Sequence, residues 1–218
     1  MSFRSFGSLH KKYTPQELTG VLELGLVATS HVLFCIFLIL ILNLNIEKLG
    51  LFEFQPHHLL YGCLLGIGEM SLSSLFCLAA IKVMQKTAPH KGPQNNNQWQ
   101  TVARGGWIKH HIQSFELLPI FASLIILFLQ VGSEELIFRG IITNSLLENG
   151  YGHLLSISFS IVVFVGMQAF HMPGLRSAIF PMIGALVMGI THSLLYYFVP
   201  VLPPLIIAHV VFFLMTVI

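Results

Sequence analysis

Aspartate is missing from this chain altogether: all nine acidic residues among its 218 are glutamate, only 9% of residues are charged and 55% are hydrophobic. A soluble domain of this size cannot hide that much apolar surface, since average soluble chains are roughly 25% charged. Without aspartate, the paired aspartates of one class of membrane protease are excluded. HExxH, GxSxG and GxSG are also lacking, which removes the usual zinc-protease helix and the serine elbow. Cys35, Cys63 and Cys77 each lie inside an apolar run and read as small buried hydrophobes, not as a disulfide frame or a metal knuckle. A formal net charge of +2, with most of the positive charge in the first 110 residues, argues against a nucleic-acid partner.

What remains is long apolar runs. About 20 apolar residues cross the roughly 30 Å hydrocarbon core of a bilayer. Leu24–Ile46 is the clearest such window; it is too long for a signal-peptide core, lacks a small-residue cleavage site and reads as a retained first span. His58–Ile81 is a second, interrupted by Glu69 alone. Lys82 to Gln113 is polar and carries Lys82, Lys86, Lys91, Arg104 and Lys109 without an acid, so the positive-inside bias makes it a cytoplasmic loop, in agreement with Arg4, Lys11 and Lys12. Beyond it the pattern predicts a helix over 115–147, about 33 residues or roughly 50 Å, and a turn at 148–152. A span over 153–170, a break at 171–174 and a span over 177–197 follow. Pro200, Pro203 and Pro204 break the chain again before a last span to Ile218. The expected fold is an all-α polytopic transmembrane bundle of about six spans with both termini cytoplasmic. Residues 1–114 form two spans plus the basic loop, and 115–218 a second unit.

From Leu117 onward only five residues are charged: Glu134, Glu135, Arg139, Glu148 and Arg176. Ionisable groups inside a membrane are costly and mark function, and three of these stand together. Glu135 and Arg139 are four apart, on one helix face, where pairing lowers the cost of burying both. Glu134 points about 100° away and has no evident partner on its own helix. An unpaired carboxylate in a low-dielectric site suits a general base near neutral pH. Counting down from the turn at 148–152, Glu134 lies about 24 Å along its helix and His171 about 31 Å along the next, at 1.5 Å per residue. The two can meet once tilt or the break at 171–174 absorbs a turn. His209, inside the last span, is the other candidate. Two imidazoles and a free carboxylate can activate water and stabilise a tetrahedral intermediate, or hold zinc through Glu134, His171 and His209. Spacing leaves both open.

These residues carry a resemblance to the CPBP family, the CAAX-processing or Abi membrane proteases that include the type II prenyl-protein endopeptidase. Its EExxxR motif resembles Glu134 to Arg139, with Gly140 completing the usual FRG; its FxxxH resembles the segment ending at His171, and its HxxxN the segment beginning at His209. Met167 stands where the family has Phe, and Phe213 where it has Asn. The resemblance covers roughly 115–218. It implies an intramembrane endopeptidase in which Glu134 is the base, His171 its partner and His209 an oxyanion donor, with Glu135 and Arg139 completing the first motif and no metal or other cofactor. Phe213 cannot donate, and one lost oxyanion donor costs about 10²–10³ in kcat.

The implied partners are the lipid bilayer and a membrane-associated protein or peptide substrate: a prenylated terminus, a sorting-signal segment or a bacteriocin-type peptide. The small size points to a prokaryotic plasma-membrane protein. The alternatives are a catalytically impaired scaffold or immunity protein of the same fold, motivated by Phe213, and a small proton or cation transporter at Glu134 and Glu135. A transporter is expected to show an internal repeat, and none is visible. His57, His58, His90, His110 and His111 read as solvated or headgroup-facing, His31 and His192 as single histidines without chemistry. Glu69 reads as the partner of a neighbouring helix, the Gly66-Ile67-Gly68 segment as too weak for a nucleotide loop, and Trp99 and Trp107 as interfacial anchors.

Overall fold

The computed structural model describes residues 14–87, 93, 96–170 and 172–217, and it is all-α. Helix α1 spans Pro15–Ile41, α2 Pro56–Thr87, α3 Asn96–Ala103 and α4 Trp107–Leu117. Then come α5, Ile120–Glu148, α6, His153–Phe170, α7, Leu175–Phe198, and α8, Pro203–Val217. Proline opens α1, α2 and α8, where its missing N–H is one that the first turn leaves unbonded anyway. Thr14 starts α1 with a capping box: its hydroxyl accepts from Glu17 N, and its own N–H donates to Glu17 Oε2 at 2.8 Å.

Five helices, α1, α2, α5, α6 and α7, are long and apolar enough to cross a bilayer, and the chain is an integral membrane protein. The expected sixth span is shorter: α8 has 15 residues, roughly 22 Å at 1.5 Å per residue. The helix expected over 115–147 is in fact two, because Pro119 has no N–H to continue the ladder and Leu118 is extended at φ −98°, ψ 160°. The basic segment is more than a loop, since it folds into α3 and α4. Trp99, expected at an interface, is 4% exposed and meets Phe180 of α7 edge-on at 6.0 Å. Trp107 is half-buried beside Phe213. Cys35 is buried as expected, whereas Cys63 and Cys77 are half-buried. Arg4, Lys11, Lys12, His90 and Lys91 lie outside the described residues.

Helix α5 sits at the centre, half of its most apolar window being buried inside the protein against 17% for α1 and for α2. Lipid is as apolar as leucine, so close packing and polar contacts, not water exclusion, hold such helices together. The tightest packing joins α2 to α8 through Gly62 and Gly66. A Cβ on Gly62 would stand 2.7 Å from the Pro204 carbonyl oxygen, and one on Gly66 would overlap the carbonyl of Ala208. This contact fixes the height of the neighbouring His209. At one end of the bundle Gly50, with φ +64°, abuts Pro200, and its carbonyl accepts from Leu202 N at 3.0 Å. The α1–α2 and α7–α8 connections are thereby joined.

Directly after Glu135, α5 widens into a π-helical stretch, Leu136–Thr143. Such stretches are uncommon and cluster at functional sites. The carbonyl of Phe138 accepts two hydroxyls, Thr143 Oγ1 at 2.8 Å and Ser160 Oγ of α6 at 2.7 Å.

Candidate active site

Glu135 is the hub of the buried polar groups and is 0% exposed. Its Oε1 accepts from His209 Nδ1 of α8 at 2.7 Å and from Arg139 Nη1 at 3.3 Å. His192 Nδ1 of α7 stands 3.1 Å from the same oxygen, off the line of a hydrogen bond. The Arg139 guanidinium also donates to the Met188 carbonyl at 3.3 Å and lies 4.4 Å from the centre of the Phe164 ring. One cation is thus held by a carboxylate, a carbonyl and an aromatic face, the kind of compensation a buried charge needs.

Glu134 is buried as well, yet it has a different company. Gln130, one turn earlier on α5, donates to Oε1 at 3.3 Å, and Gln168 of α6 donates to Oε2 at 3.0 Å. The expectation that Glu134 lacks a partner on its own helix is therefore corrected: Gln130 is that partner. A carboxylate only accepts, so each carboxamide must turn its NH₂ toward Glu134. Gln130 Oε1 then faces His111 Nε2 at 3.0 Å, which makes His111 the donor there. Among the described residues no ion pair reaches Glu134. His111 is 0% exposed on the short helix α4, and burial pushes its imidazole down to about 3, so it is neutral.

Two cavities meet around these groups. A cleft of about 530 Å³ is lined by Glu23, His31, His110, Gln130, Glu134 and Gln168. A more apolar one of about 490 Å³ runs past Trp99, Phe180, Met188 and Phe212 to His209 and Phe213. Gln168 and Trp107 line both. Glu134 therefore opens on one side of Gln168 and His209 on the other.

Residues 116–215 match the type II CAAX prenyl endopeptidase Rce1-like family. They form a domain of that family. No curated protein and no solved structure matches the chain. An Rce1-like domain implies an intramembrane protease, and hence a protein substrate in a membrane.

Of the residues singled out by the sequence, Glu135, Arg139 and His209 are brought into direct contact and Glu134 stands beside them. His171 lies outside the described residues, though Gln168, one turn before it on α6, reaches Glu134. Where the CPBP pattern has Asn, Phe213 is 5% exposed, meets His111 edge-on at 4.4 Å and lies tilted against Trp107 at 5.1 Å. Among the described residues no three His, Cys, Asp or Glu groups converge to hold a metal ion. Three expectations for histidines are corrected. His58 and His111 are buried, not solvated, because the segments bearing them fold onto the bundle, and His192 belongs to the cluster. Glu69 does pair with a neighbouring helix: it accepts from Thr191 Oγ1 and bonds His192 Nε2 at 3.2 Å. Gln130 and Gln168 were missed altogether, and His111 was set aside as solvated. Only Gln130, four residues before Glu134, carried a helical-spacing signal.

Proposed function

We propose that this protein is an intramembrane endopeptidase that hydrolyses a peptide bond of a membrane-associated protein or peptide, using water activated at Glu134. The observation that carries the reading is the contrast between adjacent glutamates. Glu135 is committed to Arg139 and His209, whereas Glu134, among the described residues, is held by two carboxamides and faces a cleft large enough for water and a peptide. Glu134 takes a proton from water as the oxygen attacks the scissile carbonyl, and His171 completes the pair that orients that water. The carbonyl oxygen gains charge and is met by His209 from the second cavity, while Glu135 holds the far nitrogen of that ring. Collapse of the intermediate breaks the C–N bond, and Glu134 returns its proton to the leaving amine. Arg139 keeps Glu135 in place.

The substrate, on this reading, lies across Gln168 with a polar stretch in the first cleft and an apolar group in the second. A prenylated terminus, a sorting segment and an apolar peptide all fit that description. Zinc at Glu134 would have to displace both carboxamides. Cleavage that stops with chelator and returns with zinc would replace the metal-free reading.

The test compares N termini of membrane proteins in cells making the wild type or Glu134→Gln. Termini that appear only with the wild type support the endopeptidase. Identical sets of termini would favour the second reading, a scaffold or immunity protein of the same fold, for which Phe213 in place of the CPBP Asn speaks.

A further inference from the structure

Glu69 lies near the middle of α2, outside the matched domain, and is 3% exposed. A carboxylate at that depth is costly to keep unless it is paired. Its partners come from α7: the Thr191 hydroxyl and His192 Nε2 at 3.2 Å. The opposite nitrogen of the same ring stands 3.1 Å from Glu135 Oε1. A single imidazole, 0% exposed, is therefore set between two carboxylates. It lines neither of the two cavities described, so it does not meet a substrate there.

We infer that Glu69 is a positioning residue for the catalytic cluster, holding His192 as a doubly protonated bridge to Glu135. A bare Nδ1 lone pair 3.1 Å from a carboxylate oxygen would be repelled, while an N–H there is attracted. Glu69, Glu135 and the neighbouring Glu134 outnumber Arg139 in a dry site, and a proton on His192 offsets part of that negative charge. Thr191 donates to Glu69, and the groups facing the cluster from elsewhere are His209 of α8 and Glu134 of α5. His192 occupies one flank of Glu135 Oε1 and Arg139 another, which leaves His209 a single approach at 2.7 Å. Through His192, Glu69 sets where His209 presents its other nitrogen to the cavity. The helix α2 thus supplies part of the active unit, and the close approach of Gly66 to Ala208 brings the two parts into register.

Only the rate arm of the test rests on the endopeptidase reading; the spectroscopic arm does not. The full chain, ¹⁵N-labelled at histidine, is placed in phospholipid nanodiscs, and the His192 ring signals are assigned by their loss in His192→Gln. Both ring nitrogens of His192 should carry a proton in the wild type, and only one in Glu69→Gln. A single protonated nitrogen in the wild type, or a His192 signal unmoved by Glu69→Gln, overturns the proposal; the wild-type spectrum decides even if the variant does not fold. With a peptide spanning a Glu134-dependent cleavage site, Glu69→Gln should lower kcat about 10- to 100-fold, leave KM in place and alter the pH profile. A change in KM alone also overturns it. If Glu134→Gln cleaves as well as the wild type, the endopeptidase reading falls while the spectra still decide the role of Glu69.

Discussion

Gln168 donates its amide to Oε2 of Glu134 at 3.0 Å across 34 residues of sequence, tying α6 to α5 at the point where the two cavities meet. A hydrogen bond to a charged group is worth about 1.5–3 kcal/mol. Gln168→Leu is therefore expected to lower the melting temperature, because it strands a buried carboxylate oxygen, and to lower kcat by about 10- to 100-fold in a peptide-cleavage assay. Gln168→Glu sets a second carboxylate against the first and should be the more damaging of the two. An unaltered rate in both would show that Glu134 needs no orientation from α6.

Gly66 and Gly68 differ by two residues and should differ sharply in tolerance. A side chain at Gly66 overlaps the Ala208 carbonyl, whereas one at Gly68 meets nothing within 4 Å. Gly66→Leu should lose at least about 1–3 kcal/mol, the usual cost of overpacking, and should disturb His209 next door. Gly68→Ala should leave the protein as stable or slightly more so, since alanine favours helix by about 1 kcal/mol over glycine. Apparent melting temperatures in one detergent compare the pair.

His111 predicts an acid sensitivity. Its proton affinity in the fold is pushed from 6.5 down to about 3 by burial. Between those values the unfolded chain binds the proton and the fold does not, so its contribution is complete above pH 6.5 and is lost as pH falls toward 3. From pH 7 to pH 5 this one residue should cost about 2 kcal/mol. His111→Gln should flatten the melting-temperature difference between those two pH values, and an equal slope in both proteins would contradict the assignment.

Phe213→Asn restores the CPBP side chain one turn after His209. Removing a buried ring costs about 3–5 kcal/mol of stability when it is cut to alanine, and Phe213 packs against the rings of His111 and Trp107. The expected outcome is a less stable protein with a faster turnover, by up to about 10²-fold for one added oxyanion donor. Melting temperature and kcat on a single preparation read both. A rate unchanged at lower stability would mean that His209 suffices.

What was legible in the sequence followed from local spacing. Glu135 and Arg139 meet because four residues make one helical turn, and scarcity of charge made them conspicuous. His192 could not be found that way: a lone histidine in an apolar run has no period, and its partner Glu69 lies 123 residues earlier. The helix expected over 115–147 ran through Pro119, although that residue carries its own stop signal; the continuous apolar pattern outweighed it. His111 read as solvated or headgroup-facing, and Trp99 as an interfacial anchor, because their neighbours are polar. Their burial depends on α3 and α4 lying back on the bundle, a tertiary event that composition does not encode. The pairing of Glu135 with Arg139 was legible from their spacing, whereas the carboxamides around Glu134 were not.

The wide turn after Glu135 acts as a phase setting. Each residue of an α-helix advances the chain by about 100°, and the π-helical stretch accommodates an additional residue before Asn144, whose side chain donates to Tyr196 Oη at 2.9 Å. Tyr196 in turn donates to the Leu49 carbonyl at 3.2 Å. Upstream of the stretch the helix must aim its glutamates at α6 and α8; downstream it must aim Asn144 at α7. An unbroken α-helix of the same composition could satisfy one of these directions and would miss the other.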